Sequence, residues 1–203
     1  MCIIAASKAG KRQPTIEEIT AMFVNNPHGA GYMFARDGVI QIHKGFMTLR
    51  EYIAAIQAEG FTDADPVVYH CRISTQAGIT PEMTHPFPWS SNLEDMELLD
   101  LETTNCAFAH NGVIRLTSDP NNAEYSDTAL FIAKFMPHII TGDEDLRKPE
   151  VIDLIEELTR SKWAILDSTG FIATVGSFHD EDGVLFSNYS YEHKNYKKFR
   201  FTE

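Results

Sequence analysis

A cysteine stands second in the chain, directly behind Met1. Aminopeptidases generally remove an initiator methionine when the next residue is small, and cysteine qualifies. The first residue would then be Cys2, carrying a thiol and a free α-amine of pKa about 8, well below a lysine's. One residue would hold both a nucleophile and a general base. The plainer reading of the same position is a small hydrophobe at the start of a strand.

Three further stretches carry residue types that do chemistry. In YHCRISTQAG (69–78), strand alternation puts His70, Arg72 and Ser74 on one face and Tyr69, Cys71 and Ile73 on the other. A guanidinium in an apolar setting needs an anion, either an internal carboxylate or a ligand carboxylate held in a bidentate fork. In CAFAHNGVI (106–114), Asn111 and Gly112 interrupt an apolar run. They either turn a hairpin or aim two N–H donors at one point, which is the requirement for an oxyanion hole. In YSDTALFIAKF (125–135), Ser126 caps a helix and leaves Asp127 in its first turn. There it complements the helix dipole or meets an ammonium group on a ligand. His70, Cys71, His85, Cys106 and His110 are zinc-ligand types, but they lack a paired C-x-x-C or a ligand rhythm, so no metal site is expected.

The elements that must position these residues are legible in outline. Thr15 and Glu18 form a capping box before a helix with Ile16, Ile19 and Phe23 on one face. Thr48 and Glu51 repeat the box before a helix with Leu49, Tyr52, Ile53 and Ile56 as its stripe and Gly60 as its stop. A third helix is expected from Ser126 to about Phe135, ahead of Pro137. A fourth starts at Pro149 and carries Ile152, Ile155 and Leu158. Strands are expected in CIIAAS, in a hairpin turning at Asp37-Gly38, and in VVYHCRIST, CAFAHNGVIR, KWAILDSTGFIATVG and VLFSNYSY. Strands come in clusters with helices in pairs between them. That order implies an α+β fold of antiparallel sheets covered by helices, not a parallel doubly wound sheet. The acidic stretch 92–105 reads as an excursion between strands, either a solvated loop or short helix, or a lid or docking surface.

Composition narrows the function classes. A length of 203 residues fits one domain, 1–203. The net charge of −12 argues against nucleic acid as a partner. No apolar run approaches the roughly 20 residues of a membrane span, and the N-terminus lacks the order of a secretory signal. Three cysteines do not form a disulfide framework. A cytoplasmic protein with free thiols, no membrane partner and no cofactor is expected.

Taken in order, MCIIA, HGAGYMF, YHCRISTQAG, THPF, HNGVI and YSDTALFI resemble the glutaminase domain of class II glutamine amidotransferases, which are N-terminal-nucleophile hydrolases. The resemblance runs from Cys2 to about Phe135. It implies a four-layer αββα sandwich, and hydrolysis of the glutamine side-chain amide to glutamate and ammonia through a cysteine thioester. On this resemblance Cys2 is the nucleophile with its own α-amine as base, and Asn111 and Gly112 form the oxyanion hole. Arg72 binds the substrate α-carboxylate with Thr75, and Asp127 holds the α-ammonium. Gln76 and His85 join the substrate side. Gln76 stands where better-known members often have histidine, and His28 where relatives commonly have aspartate. No synthase domain follows, so the ammonia is expected to pass to a separate synthase in trans. Two other functions fit the same residues: hydrolysis of another γ-glutamyl or amide compound, and a non-catalytic amino-acid-binding module.

Overall fold

A computed structural model of the chain describes residues 1–74, 78–117 and 124–192. They form an α+β fold with two antiparallel sheets and four helices.

The larger sheet begins with β1 (Ile3–Ser7), β2 (Ala30–Arg36), β3 (Val39–Phe46) and β4 (Val67–Cys71). β2 and β3 form the expected hairpin. Asp37 and Gly38, at φ 52° and 78°, supply the two left-handed positions that a tight two-residue turn demands. The small sheet is built from β5 (Phe87–Pro88), β7 (Ala107–Asn111), β8 (Lys162–Leu166) and β9 (Ile172–Val175), in that spatial order. Three short strands complete the larger one: β6 (Asp100–Thr103), β10 (His179–Glu181) and β11 (Val184–Phe186). Its order is β10-β11-β1-β4-β2-β3-β6. The acidic stretch therefore divides into a 3-10 turn, Leu93–Glu97, and an edge strand paired to β3.

Three cores follow from strand alternation. Ile4, Ala6, Met33 and Val68 of the larger sheet meet Ala107, Ala109, Ala164 and Leu166 of the smaller one. The other face of the larger sheet presents Ile3, Tyr32, Phe34 and Tyr69 to α1 (Ile16–Asn25) and α2 (Leu49–Glu59). The other face of the small sheet presents Phe108, Trp163 and Ile165 to α3 (Asp127–Ile139) and α4 (Pro149–Thr159). This distribution is compatible with two sheets stacked between helices. It also explains the sequence of β7, which is sandwiched on both faces and so is apolar at successive positions.

The helix signals hold in most details. Thr15 accepts from the Glu18 N–H while Glu18 reaches back to the Thr15 N–H, a reciprocal cap worth about 1 kcal/mol. Thr48 accepts from the Glu51 N–H, but its hydroxyl, not its N–H, donates to the Glu51 carboxylate at 2.9 Å, so the expected second box is only half formed; Gly60 ends α2 at φ 62°. Two further expectations are corrected. Ile16 is exposed, because in the first turn of α1 the buried face is Ile19, Met22 and Phe23. α3 does not stop before Pro137 but runs to Ile139. Proline lacks only one N–H, and in the last turn the Ile140 N–H still reaches the Met136 carbonyl.

Candidate active site

The ends of β1, β4 and β7 and the start of α3 converge on one cleft. Five residues marked by the sequence line it: Cys2, Arg72, His85, Gly112 and Asp127. Ile73, Ser74, His110, Ser126 and Thr128 complete the wall. Thr75 and Gln76 lie outside the described residues.

Cys2 lies just before β1. Its Sγ is 3.4 Å from the Ile73 N–H nitrogen and 3.5 Å from the Ile73 carbonyl oxygen. Burial raises the thiol pKa above its usual value, against the opposing pull of the Ile73 N–H and the Arg72 charge. At neutral pH the group is a thiol, so thiolate chemistry here needs a base. Met1 is 78% exposed, open to a processing enzyme.

Arg72 does not continue β4, which ends at Cys71. Its backbone bonds to the segment before β2: its N–H reaches the Gly29 carbonyl at 2.8 Å, and its carbonyl accepts from the His28 N–H at 2.9 Å. Its Nη1 donates to the Gly78 carbonyl at 2.9 Å. His28 has a structural task here: its Nδ1 accepts from the Ser74 N–H at 3.0 Å. The guanidinium is almost fully buried. Burial lowers its pKa, and the Cys2 and Asp127 charges oppose that shift.

Asp127 opens α3. Its Oδ2 accepts from the Ile114 N–H at 2.6 Å and its Oδ1 from the Thr128 N–H at 2.8 Å. Burial still raises its pKa despite those N–H donors, the Thr128 hydroxyl and the Arg72 charge. The carboxylate thus ties the helix start to the segment just after β7. Oδ1 also accepts from the Thr128 hydroxyl at 3.4 Å, and Oδ2 retains a lone pair for a ligand donor.

The Asn111-Gly112 pair does not turn a hairpin. β7 pairs with β5 and β8, and after Asn111 the chain bends into the 3-10 turn Arg115–Thr117. Gly112 lines the cleft; a Cβ there would run into Ser161 Oγ and lie 2.6 Å from Ser161 Cβ. We expect Gly112→Ala to cost about 1–3 kcal/mol of stability by overpacking, measured by denaturant melts, because this wall has no room to give. Asn111 stands one residue behind the wall. Its Nδ2 donates to Ser187 Oγ at 2.9 Å, and its Oδ1 is buried with no partner among the described residues.

Three histidines form a buried stack beside the cleft. The His70 and His85 rings are 4.2 Å apart, and His85 and His110 6.3 Å. His70 Nε2 donates to the His110 carbonyl at 3.0 Å, bridging the two sheets. The His110 N–H donates to His85 Nδ1 at 3.2 Å. Cys71 faces the helix-side core of the larger sheet and Cys106 that of the smaller one, so neither cysteine joins the three histidines. Among the described residues no group of three or more histidine, cysteine, aspartate or glutamate side chains could hold a metal ion. Likewise no helix is long and apolar enough to cross a membrane.

The sequence reading missed Ser187, Asn188, Thr128 and the Ile73 backbone. Ser187 and Asn188 show only as a polar pair ending the apolar run VLF. No family model matches this sequence, and no curated protein matches it.

Proposed function

We propose that the chain is an N-terminal-nucleophile hydrolase with the αββα sandwich, a glutaminase of the class II amidotransferase type acting on free glutamine. The observation that carries the reading is the single cleft in which Cys2, Arg72, Gly112 and Asp127 meet.

The chemistry follows from those groups. Removal of Met1 frees the Cys2 α-amine, which takes the thiol proton. The thiolate attacks the amide carbon of glutamine, and the carbonyl π electrons move to oxygen. The Gly112 N–H meets that oxyanion, with the second hydrogen of Asn111 Nδ2. The α-ammonium returns its proton to the leaving nitrogen, and ammonia departs as the thioester forms. Water, deprotonated by the same amine, cleaves the thioester to glutamate and restores the thiol. Losing one oxyanion donor costs about 3 kcal/mol in the transition state.

Arg72 and Asp127 read the two charges of the zwitterion. Ammonia passes to a separate synthase.

The test is glutamate release from glutamine by purified protein whose first residue is shown by mass spectrometry to be Cys2. No release by such protein, alone or with candidate synthases, would sink the reading. Release from another γ-glutamyl amide but not from glutamine would keep the chemistry and change the substrate. Retained Met1 with glutamine still bound would favour a non-catalytic module. Arg72→Ala and Asp127→Ala are each expected to raise KM for glutamine by about ten- to a hundredfold, the loss of one charge-assisted contact, with a smaller effect on kcat. Steady-state kinetics checks this.

A further inference from the structure

We infer that Ser187 and Asn188, directly after β11, are positioning residues that fix the nucleophile, its base and the oxyanion donor relative to one another. The catalytic terms rest on the glutaminase reading; the geometry does not.

Asn188 Nδ2 donates to the Cys2 carbonyl oxygen at 2.7 Å, and Asn188 Oδ1 accepts from the Ser190 N–H at 2.9 Å. Ser187 Oγ accepts from the Ile4 N–H and from Asn111 Nδ2, both at 2.9 Å, while the Ser187 N–H donates to the Ile4 carbonyl at 3.0 Å. Ser187 is fully buried, and its own carbonyl accepts from Lys162 Nζ at 2.6 Å. Two adjacent residues thus touch the nucleophile's carbonyl, the strand that carries it, and the amide behind the cleft wall.

The need for such a clamp is physical. The β1 ladder begins at Ile3, so Cys2 lies outside it. A first residue frays unless something ties it down. Asn188 holds the Cys2 carbonyl, and the Ile73 backbone holds Sγ. With two of the three heavy substituents on the Cys2 Cα pinned, tetrahedral geometry sets the third, the nitrogen. Ser187 applies the same logic across the sheets: it fixes the distance from β1 to the Asn111 amide.

The test compares Met-free wild type with Asn188→Asp. Aspartate keeps the shape and the acceptor for Ser190 but has no N–H to give, and its charge repels the Cys2 carbonyl. We expect kcat to fall about ten- to a hundredfold, as for a misplaced reacting group, with KM for glutamine nearly unchanged. Iodoacetamide should alkylate Cys2 faster in the variant, read by intact mass. Equal alkylation overturns the clamp whatever happens to kcat. Faster alkylation with an unchanged kcat, or a KM that rises in step with the loss, overturns its catalytic part. Asn188→Ala, checked by its melting curve, repeats the comparison if the aspartate unfolds the chain. A wild type that releases no glutamate removes the glutaminase reading and leaves alkylation to decide the clamp. For Ser187, the loss of kcat in Ser187→Ala should vanish in an Asn111→Ala background; independent losses overturn that half.

Discussion

Cys2→Ala is expected to abolish glutamate release and leave glutamine bound. The fall in kcat should be about 10⁴-fold or more, the scale on which removal of a covalent nucleophile is felt. Affinity should change little, because the groups proposed to bind the substrate charges, Arg72 and Asp127, stand on other elements. Isothermal calorimetry on the variant and a coupled glutamate assay measure the two quantities separately. A variant that turned over at the wild-type rate would remove the nucleophile and the mechanism with it.

The same prediction has a labelling counterpart. A glutamine analogue bearing a diazoketone should alkylate Cys2 and spare Cys71 and Cys106. Burial raises all three thiols, Cys71 and Cys106 strongly, while the Ile73 N–H and the Arg72 charge oppose the shift at Cys2. Access separates them further: Cys2 is partly exposed and lines the cleft, while Cys71 is 0% and Cys106 3% exposed in cores on the outer faces of the sheets. Peptide mapping after reaction reports which thiol was taken.

What the sequence carried plainly was local. Thr15 with Glu18, Thr48 before Glu51, Gly60, Asp37-Gly38 and Pro149 each act within a few residues, and each appears where expected. Pro137 misled because its cost depends on where it falls in a helix, and in the final turn that cost is small. β5 and β10 are too short to show a period, and β6 hides in an acidic stretch because an edge strand tolerates charge on its open face. In the cleft, Cys2, Arg72, Gly112 and Asp127 were legible by residue type and order. Their supports were not. Ser187 meets Asn111, and Asn188 meets Cys2, only through the pairing of β1 with β11 and the stacking of the sheets. The histidine stack is likewise assembled from residues on three separate segments.

That stack makes the fold itself sensitive to acid. His70 and His110 are pushed down to about 3, chiefly by burial, and His85 well below its usual value by burial and by His70, His110, Arg72 and Lys44 around it. All three are neutral in the folded chain, while in the unfolded chain each takes up a proton near pH 6.5. A depressed folded pKa contributes stability that is present above the unfolded value and lost as pH falls toward the folded one. Three such groups give a slope of about 4 kcal/mol per pH unit once the unfolded chain is fully protonated. A domain of ordinary stability, about 5–15 kcal/mol, should then be largely unfolded near pH 4. Asp127 works in the opposite sense: its raised pKa favours the folded state as pH falls and offsets part of the loss from its folded pKa downward. Glu18 and Asp65, whose pKa values are lowered, add to the acid loss only in the carboxylate range. Urea melts from pH 7 to pH 4.5 measure the slope. In His85→Phe the His110 N–H loses its acceptor, so the whole curve should drop by about 1–3 kcal/mol. Its slope, however, should fall to about two-thirds of the wild-type value, one proton in three having been removed. A wild-type stability that stayed flat from pH 7 to pH 5 would mean that these histidines are not neutral in the folded protein.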